Sequence, residues 1–139
     1  MTPERPWVLD CSVTMAWCFE DEKTQATDEL LGREEPVLVS QIWPLEVGNV
    51  LMLAMQKGRI NSSRQKQFVA LLQRLPITLD VFAVDGAFEA VLFLAQAHRL
   101  TMYDASYLEL AIRTDASLAT RDAHLARAAK RAGVPLLPV

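Results

Sequence analysis

Short apolar runs alternate along the chain with longer stretches whose apolar residues recur every three or four positions. Residues 7–10, 37–40 and 117–120 are runs of the first kind and predict buried strands. Residues 78–82 alternate weakly and predict another. Residues 134–137 predict an edge strand, because Pro135 has no ladder donor. Helical spacing predicts a short helix over 12–19 and, behind an acidic link at 20–22, an amphipathic helix over roughly 23–33. Pro44 starts a long helix carrying Val47, Val50, Leu51 and Ala54, which Gly58 ends. Residues 61–63 cap a helix with Phe68, Leu71, Leu72 and Leu75 at helical spacing, and Pro76 stops it. Further helices are predicted over 85–98, 104–113 and 121–131, the last ended by Gly133. Strands separated by helices indicate an α/β fold in three layers around a mostly parallel sheet, with one domain over 1–139.

Composition narrows the class. The chain has 139 residues, 51% hydrophobic and 22% charged, as expected for a protein with a packed core. Asp10, Asn49, Asp85 and Glu89 interrupt every long apolar stretch, and Met1–Pro6 has no apolar leader behind it, so a cytoplasmic protein is expected. Cys11 and Cys18 are too few for a disulfide framework and are expected as buried thiols. A net charge of −3 weighs mildly against a phosphate-gripping surface. It does not exclude a phosphate ligand recruited through a metal ion.

Four acids stand where such a fold gathers its chemistry. Asp10 ends the first strand and Glu46 lies in the first turn of the helix after the second. Asp104 opens a helix, and Asp122 follows the 117–120 strand. In a parallel sheet, strand ends and the helix starts that follow them share one edge, where ligands bind. Each acid also has a plainer reading as a helix cap or dipole partner, worth about 0.3–1 kcal/mol. Asp10 fits that reading least, since only apolar residues precede it in its strand.

Convergence carries an electrostatic cost. Two unit charges 4 Å apart repel by about 4 kcal/mol at an effective dielectric of 20, so protons or a cation must sit among them. Oxygen donors suit Mg²⁺ or Mn²⁺, whereas His98 and His124 lack zinc-ligand spacing. Such an ion binds phosphate oxygens and activates water, so phosphodiester hydrolysis is the natural chemistry.

Four segments then resemble PIN-domain proteins, in order and across nearly the whole chain. They are Val8-Leu-Asp10-Cys-Ser12 with Trp17 and the 20–22 acids, Trp43-Pro-Leu-Glu46-Val-Gly-Asn49, Tyr103-Asp104-Ala-Ser-Tyr107, and Leu118-Ala-Thr120-Arg-Asp122. The compact form resembles VapC-type toxins of toxin–antitoxin pairs. That resemblance implies a five-stranded sheet in the order 3-2-1-4-5 and a Mg²⁺-dependent endoribonuclease. Asp10, Glu46, Asp104 and Asp122 match the family's acidic positions, and Ser12 and Thr120 its polar supporting ones. Asp10 and Asp104 would be the primary metal ligands. A homodimer and an inhibiting antitoxin are the implied partners, with RNA as substrate and products carrying 5′-phosphate and 3′-hydroxyl ends.

Other features have competing readings. Residues 124, 127 and 131 share a helix face and would touch RNA or an acidic antitoxin segment, or merely be solvated. Apolar excess around 51–55, with Phe68 and Leu72, is either core or a partner surface. Trp17 and Trp43 read as core or rim residues. A haloacid-dehalogenase-type phosphatase also follows its first strand with Asp, but that motif needs a second Asp where Ser12 stands. A binding module in which the acids only cap helices is the non-catalytic alternative.

Overall fold

A computed structural model describes residues 5–139; the leaderless start predicted at Met1–Pro6 lies largely outside the described residues. The elements run β1 (Trp7–Leu9), α1 (Cys11–Cys18), α2 (Gln25–Leu30), β2 (Val37–Ser40), α3 (Trp43–Gln56), α4 (Ser62–Arg74) and β3 (Ile77–Asp80). They continue with α5 (Val84–Gly86), a π-helical segment (Ala87–Val91), α6 (Leu92–His98), α7 (Met102–Arg113), β4 (Ser117–Ala119) and α8 (Ala123–Arg131). Helix limits follow local chemistry. Asn61 caps α4 by accepting from the Arg64 amide at 2.8 Å. Gly58 and Gly133 follow α3 and α8 with φ of 70° and 78°, left-handed values that glycine adopts without strain. Thr24 and Thr27 form a reciprocal capping box, which starts α2 two residues later than the polar pattern suggests.

The strands are parallel and lie in the order β3-β2-β1-β4. The fifth strand expected over 134–137 is not formed. Leu136 makes one parallel bridge to Leu118, flanked by Leu118 N–H to Pro135 O and Leu137 N–H to Leu118 O, both 2.9 Å. The segment follows the β4 edge as predicted, but Pro135 and Pro138 lack the amides that would extend the ladder. The sheet is therefore four-stranded among the described residues.

Helices flank this sheet, and α7 packs on β1, β2 and β4. The core joins Val8, Leu9 and Leu118 of the strands to Val13, Phe68, Leu108 and Leu125 of the helices, all fully buried. Burying each such side chain contributes about 1.5–3 kcal/mol. Phe68 thus belongs to the core and not to an exposed patch, although Met52 and Leu53 of α3 remain exposed. Both cysteines are buried and free. No helix among the described residues is long and apolar enough to cross a membrane.

Candidate active site

β1 and β4 are neighbours and end together. Their register pairs Leu9 with Ala119, so the next residues, Asp10 and Thr120, leave the sheet side by side. Asp10 occupies the N-cap position of α1 with extended backbone, yet its carboxylate makes no cap hydrogen bond. Its Oδ2 instead accepts from Ser12 Oγ at 2.8 Å and Thr120 Oγ1 at 2.6 Å. These hydroxyls are themselves oriented: the Arg121 amide donates to Ser12 Oγ at 2.9 Å and the Asp122 amide to Thr120 Oγ1 at 3.0 Å. Both hydroxyl protons are thereby directed to one carboxylate oxygen, and Oδ1 receives neither. Asp10 is only 5% exposed. Burial pushes its carboxyl above the usual range, against the lowering effect of bonds from Thr120, Ser12 and the Cys11 amide, and the Asp122 charge raises it further.

Glu46 lies in the first turn of α3, where its carboxylate accepts from the Tyr107 hydroxyl at 2.5 Å. Tyr107 is fully buried on α7. Burial and the Glu46 bond raise the phenol, keeping it a neutral donor. Burial also raises Glu46, opposed by the Tyr107 bond and reinforced by the Asp10 and Asp104 charges. Asp104 stands in the first turn of α7, capped by Thr101, whose Oγ1 accepts from the Asp104 amide at 3.1 Å. Burial first, then the Asp122 and Asp10 charges, pushes Asp104 up to about 6, while His124 acts in the opposite direction. Asp122 caps α8, its Oδ1 accepting from the Leu125 amide at 2.8 Å. Asp122 thus caps its helix through the side chain, whereas the Asp10 carboxylate is held mainly by Ser12 and Thr120.

These couplings place the four acids around one space at the C-terminal edge of the sheet. Their oxygens are hard donors, of the kind that suits a divalent cation of the Mg²⁺ class. Among the described residues no three acidic, histidine or cysteine side chains close on a common point as a ready cage. The Cys11 thiol beside them is pushed up to about 12 by burial and by the Glu46 and Asp10 charges, so it stays protonated and unreactive.

Three supporting contacts escape sequence reading. Tyr107 follows Asp104 by three residues and so shares its helix face, the one available signal of a role near the acids. Ser40 at the end of β2 bonds Ser106 Oγ at 2.8 Å, and Ser106 donates to Tyr103 O at 2.6 Å, tying the sheet edge to the start of α7. Trp43 Nε1 donates to Thr14 Oγ1 at 2.9 Å, and Trp17 Nε1 to Thr27 O at 2.6 Å. Both indoles are buried, as core residues were expected to be.

Comparisons with known proteins agree with this architecture. No curated protein matches the sequence. Among solved structures, PAE2754 from Pyrobaculum aerophilum superposes with a TM-score of 0.69 at 23% identity, over 89% of this chain and 79% of that one. A toxin–antitoxin complex from Klebsiella pneumoniae gives 0.57 at 19% identity, over 83% and 85% of the two chains. VapBC2 from Rickettsia felis, bound to a DNA fragment from its promoter, gives 0.62 at 16% identity, over 94% and 96%. At these identities the likeness concerns the fold. The sequence model of the PIN domain matches residues 7–131, nearly the whole chain, and on that ground this protein belongs to the PIN-domain family.

Proposed function

We propose that this protein is a divalent-metal-dependent endoribonuclease, the VapC-type toxin of a toxin–antitoxin pair, acting through Asp10, Glu46, Asp104 and Asp122. One observation carries the reading. Asp10 is a buried carboxylate held through Oδ2 by two oriented hydroxyls, with the charges of other acids close by. A site built only for stability would not concentrate negative charge there, because its mutual repulsion exceeds the gain from capping.

Asp10 and Asp104 would be the primary ligands of Mg²⁺, for which Mn²⁺ can substitute. Glu46 and Asp122 would complete the acidic site through water or a second ion. When bound, the ion supplies a water of lowered pKa and offsets charge on the phosphate. Ser12 and Thr120 would hold Asp10 through Oδ2, leaving Oδ1 clear of their hydroxyls. Tyr107 would orient Glu46 through its hydroxyl, which also opposes the rise that burial imposes on this carboxyl. With the Asp122 Oδ1 committed to α8, its second oxygen is the one left for the site. Water attack with departure of the 3′ oxygen leaves 5′-phosphate and 3′-hydroxyl ends.

The PIN family match and the Klebsiella neighbour, itself a toxin–antitoxin complex, support a toxin held by an antitoxin. A homodimer in the cytoplasm completes the reading. The substrate class is tested by offering the purified full chain RNA, single-stranded DNA of the same sequence, and an aryl phosphate, each with Mg²⁺. Internal cleavage of RNA alone is expected. Turnover of the aryl phosphate with intact RNA would establish a phosphatase instead.

A further inference from the structure

A second, oppositely charged feature lies beside the acidic cluster. Residues at the end of α6 and along α8 line one pocket of about 370 Å³. Its polar lining is His98, Arg99, His124, Arg127 and Arg131, and its apolar lining is Ala97. No carboxylate pairs with any of these five among the described residues, whereas Arg33, Arg59 and Arg113 are each held by acids. In a chain of net charge −3, three guanidinium groups without acidic partners gather on this one pocket.

Two details show how the pocket is built. Arg99 caps α6 in the left-handed region, with φ 54°, at a position where glycine is the unstrained residue. The chain accepts that strain and gains a guanidinium at the pocket wall. His98 Nδ1 is buried with no hydrogen-bond partner among the described residues, and the residue lines the pocket.

Position supplies the ligand class. Asp122 caps α8 and Arg131 ends it, so the basic pocket begins beside the acids and extends away along roughly 13 Å of helix. His124 lies close enough to Asp104 to oppose the rise of its pKa. A protein segment would need an apolar anchor, and Ala97 alone does not provide one. A polyanion needs only charge and planar donors, which guanidinium groups supply to phosphate in bidentate form.

We propose that this pocket is a phosphate subsite, in which Arg99, Arg127 and Arg131, with His98 and His124, hold the backbone of single-stranded RNA flanking the bond to be cut. This rests on the ribonuclease reading above and adds where the strand leaves the acidic site. Arg127 and Arg131 are exposed, so their replacement leaves the core intact.

The test is binding of a short fluorescent single-stranded RNA to the full chain, with chelator present to prevent cleavage, over a range of salt. The variants are Arg127→Ala with Arg131→Ala, and Arg127→Lys with Arg131→Lys, each checked for an unchanged melting curve. Loss of two phosphate contacts is expected to weaken binding and to reduce the slope of log K against log salt by about 1.4. The lysine pair is expected to keep the slope. Unchanged affinity and slope in the alanine pair overturn the subsite while leaving the ribonuclease reading standing. If RNA binding is unchanged but affinity for a polyglutamate peptide falls, the pocket belongs to an acidic protein partner and the proposal fails. If the unaltered protein binds no RNA without metal, the subsite fails, while the ribonuclease reading is decided separately by cleavage with Mg²⁺.

Discussion

The Thr120 hydroxyl donates to Oδ2 of Asp10 at 2.6 Å, joining residues 110 positions apart. The parallel pairing of β1 and β4 makes this contact possible, because it brings both strand ends to one point. The contact lowers the cost of burying the carboxylate, opposing the rise in pKa that burial imposes.

Thr120→Val keeps the side-chain shape and removes the donor. It is expected to destabilise the protein by about 1–3 kcal/mol at neutral pH, the cost of a buried charged group losing a hydrogen bond. Thr120→Ser is expected to restore most of that loss. Denaturant unfolding of the three proteins measures it, and an unchanged midpoint for Thr120→Val would show that the bond contributes nothing.

Asp104 gives a pH dependence with a definite sign. Its folded pKa, about 6, lies above the ordinary aspartate value of 3.8, so between these values the folded state binds more protons than the unfolded one. Stability from this group is therefore fully present below pH 3.8 and lost as pH rises through 6. Asp104→Asn removes the ionisation. It is expected to raise stability at pH 7.5 by roughly 1 kcal/mol, after allowance for solvent screening, and to flatten the melting temperature between pH 5 and pH 7.5. Equal pH profiles for the two proteins would contradict the assignment.

Tyr107→Phe leaves Glu46 without its phenolic donor. Glu46 is then expected to protonate at higher pH, since the bond is what opposes burial and the neighbouring charges. Cleavage activity should fall, with its acidic limb shifted upward. A uniform drop at every pH would mean that Tyr107 acts only through packing.

Divalent cations are expected to stabilise the folded protein by relieving the same repulsion. At 100 times its dissociation constant an ion contributes about 2.7 kcal/mol. Mn²⁺ should raise the melting temperature of the unaltered chain and leave that of Asp10→Asn unchanged. An equal rise in both would place the ion elsewhere.

Much of this arrangement is legible in the chain itself, and the reasons are local. Val37–Ser40 forms the strand its apolar run predicts, Asn61 caps as its position suggests, and Gly58 and Gly133 follow their helices. The acids are visible because each sits at a strand end or a helix start. Residues 134–137 read as a strand because their apolar character is real, but two prolines leave one bridge where a ladder was expected. Tyr107 and Glu46 were unreadable as a pair, since their contact spans 61 positions and depends on how α7 crosses the sheet edge. The basic pocket was half visible: 124, 127 and 131 share a helix face. His98 and Arg99 join them only through tertiary packing of α6 near α8.

Every role proposed for the acidic site depends on Asp10 serving metal-dependent cleavage of RNA. Cellular RNA incubated with the full chain and Mg²⁺, beside an Asp10→Asn control and a chelator control, tests it most directly, with the new ends mapped. Discrete fragments bearing 5′-phosphates, absent from both controls, are the expected result. Fragments that persist in Asp10→Asn or under chelation would contradict the account.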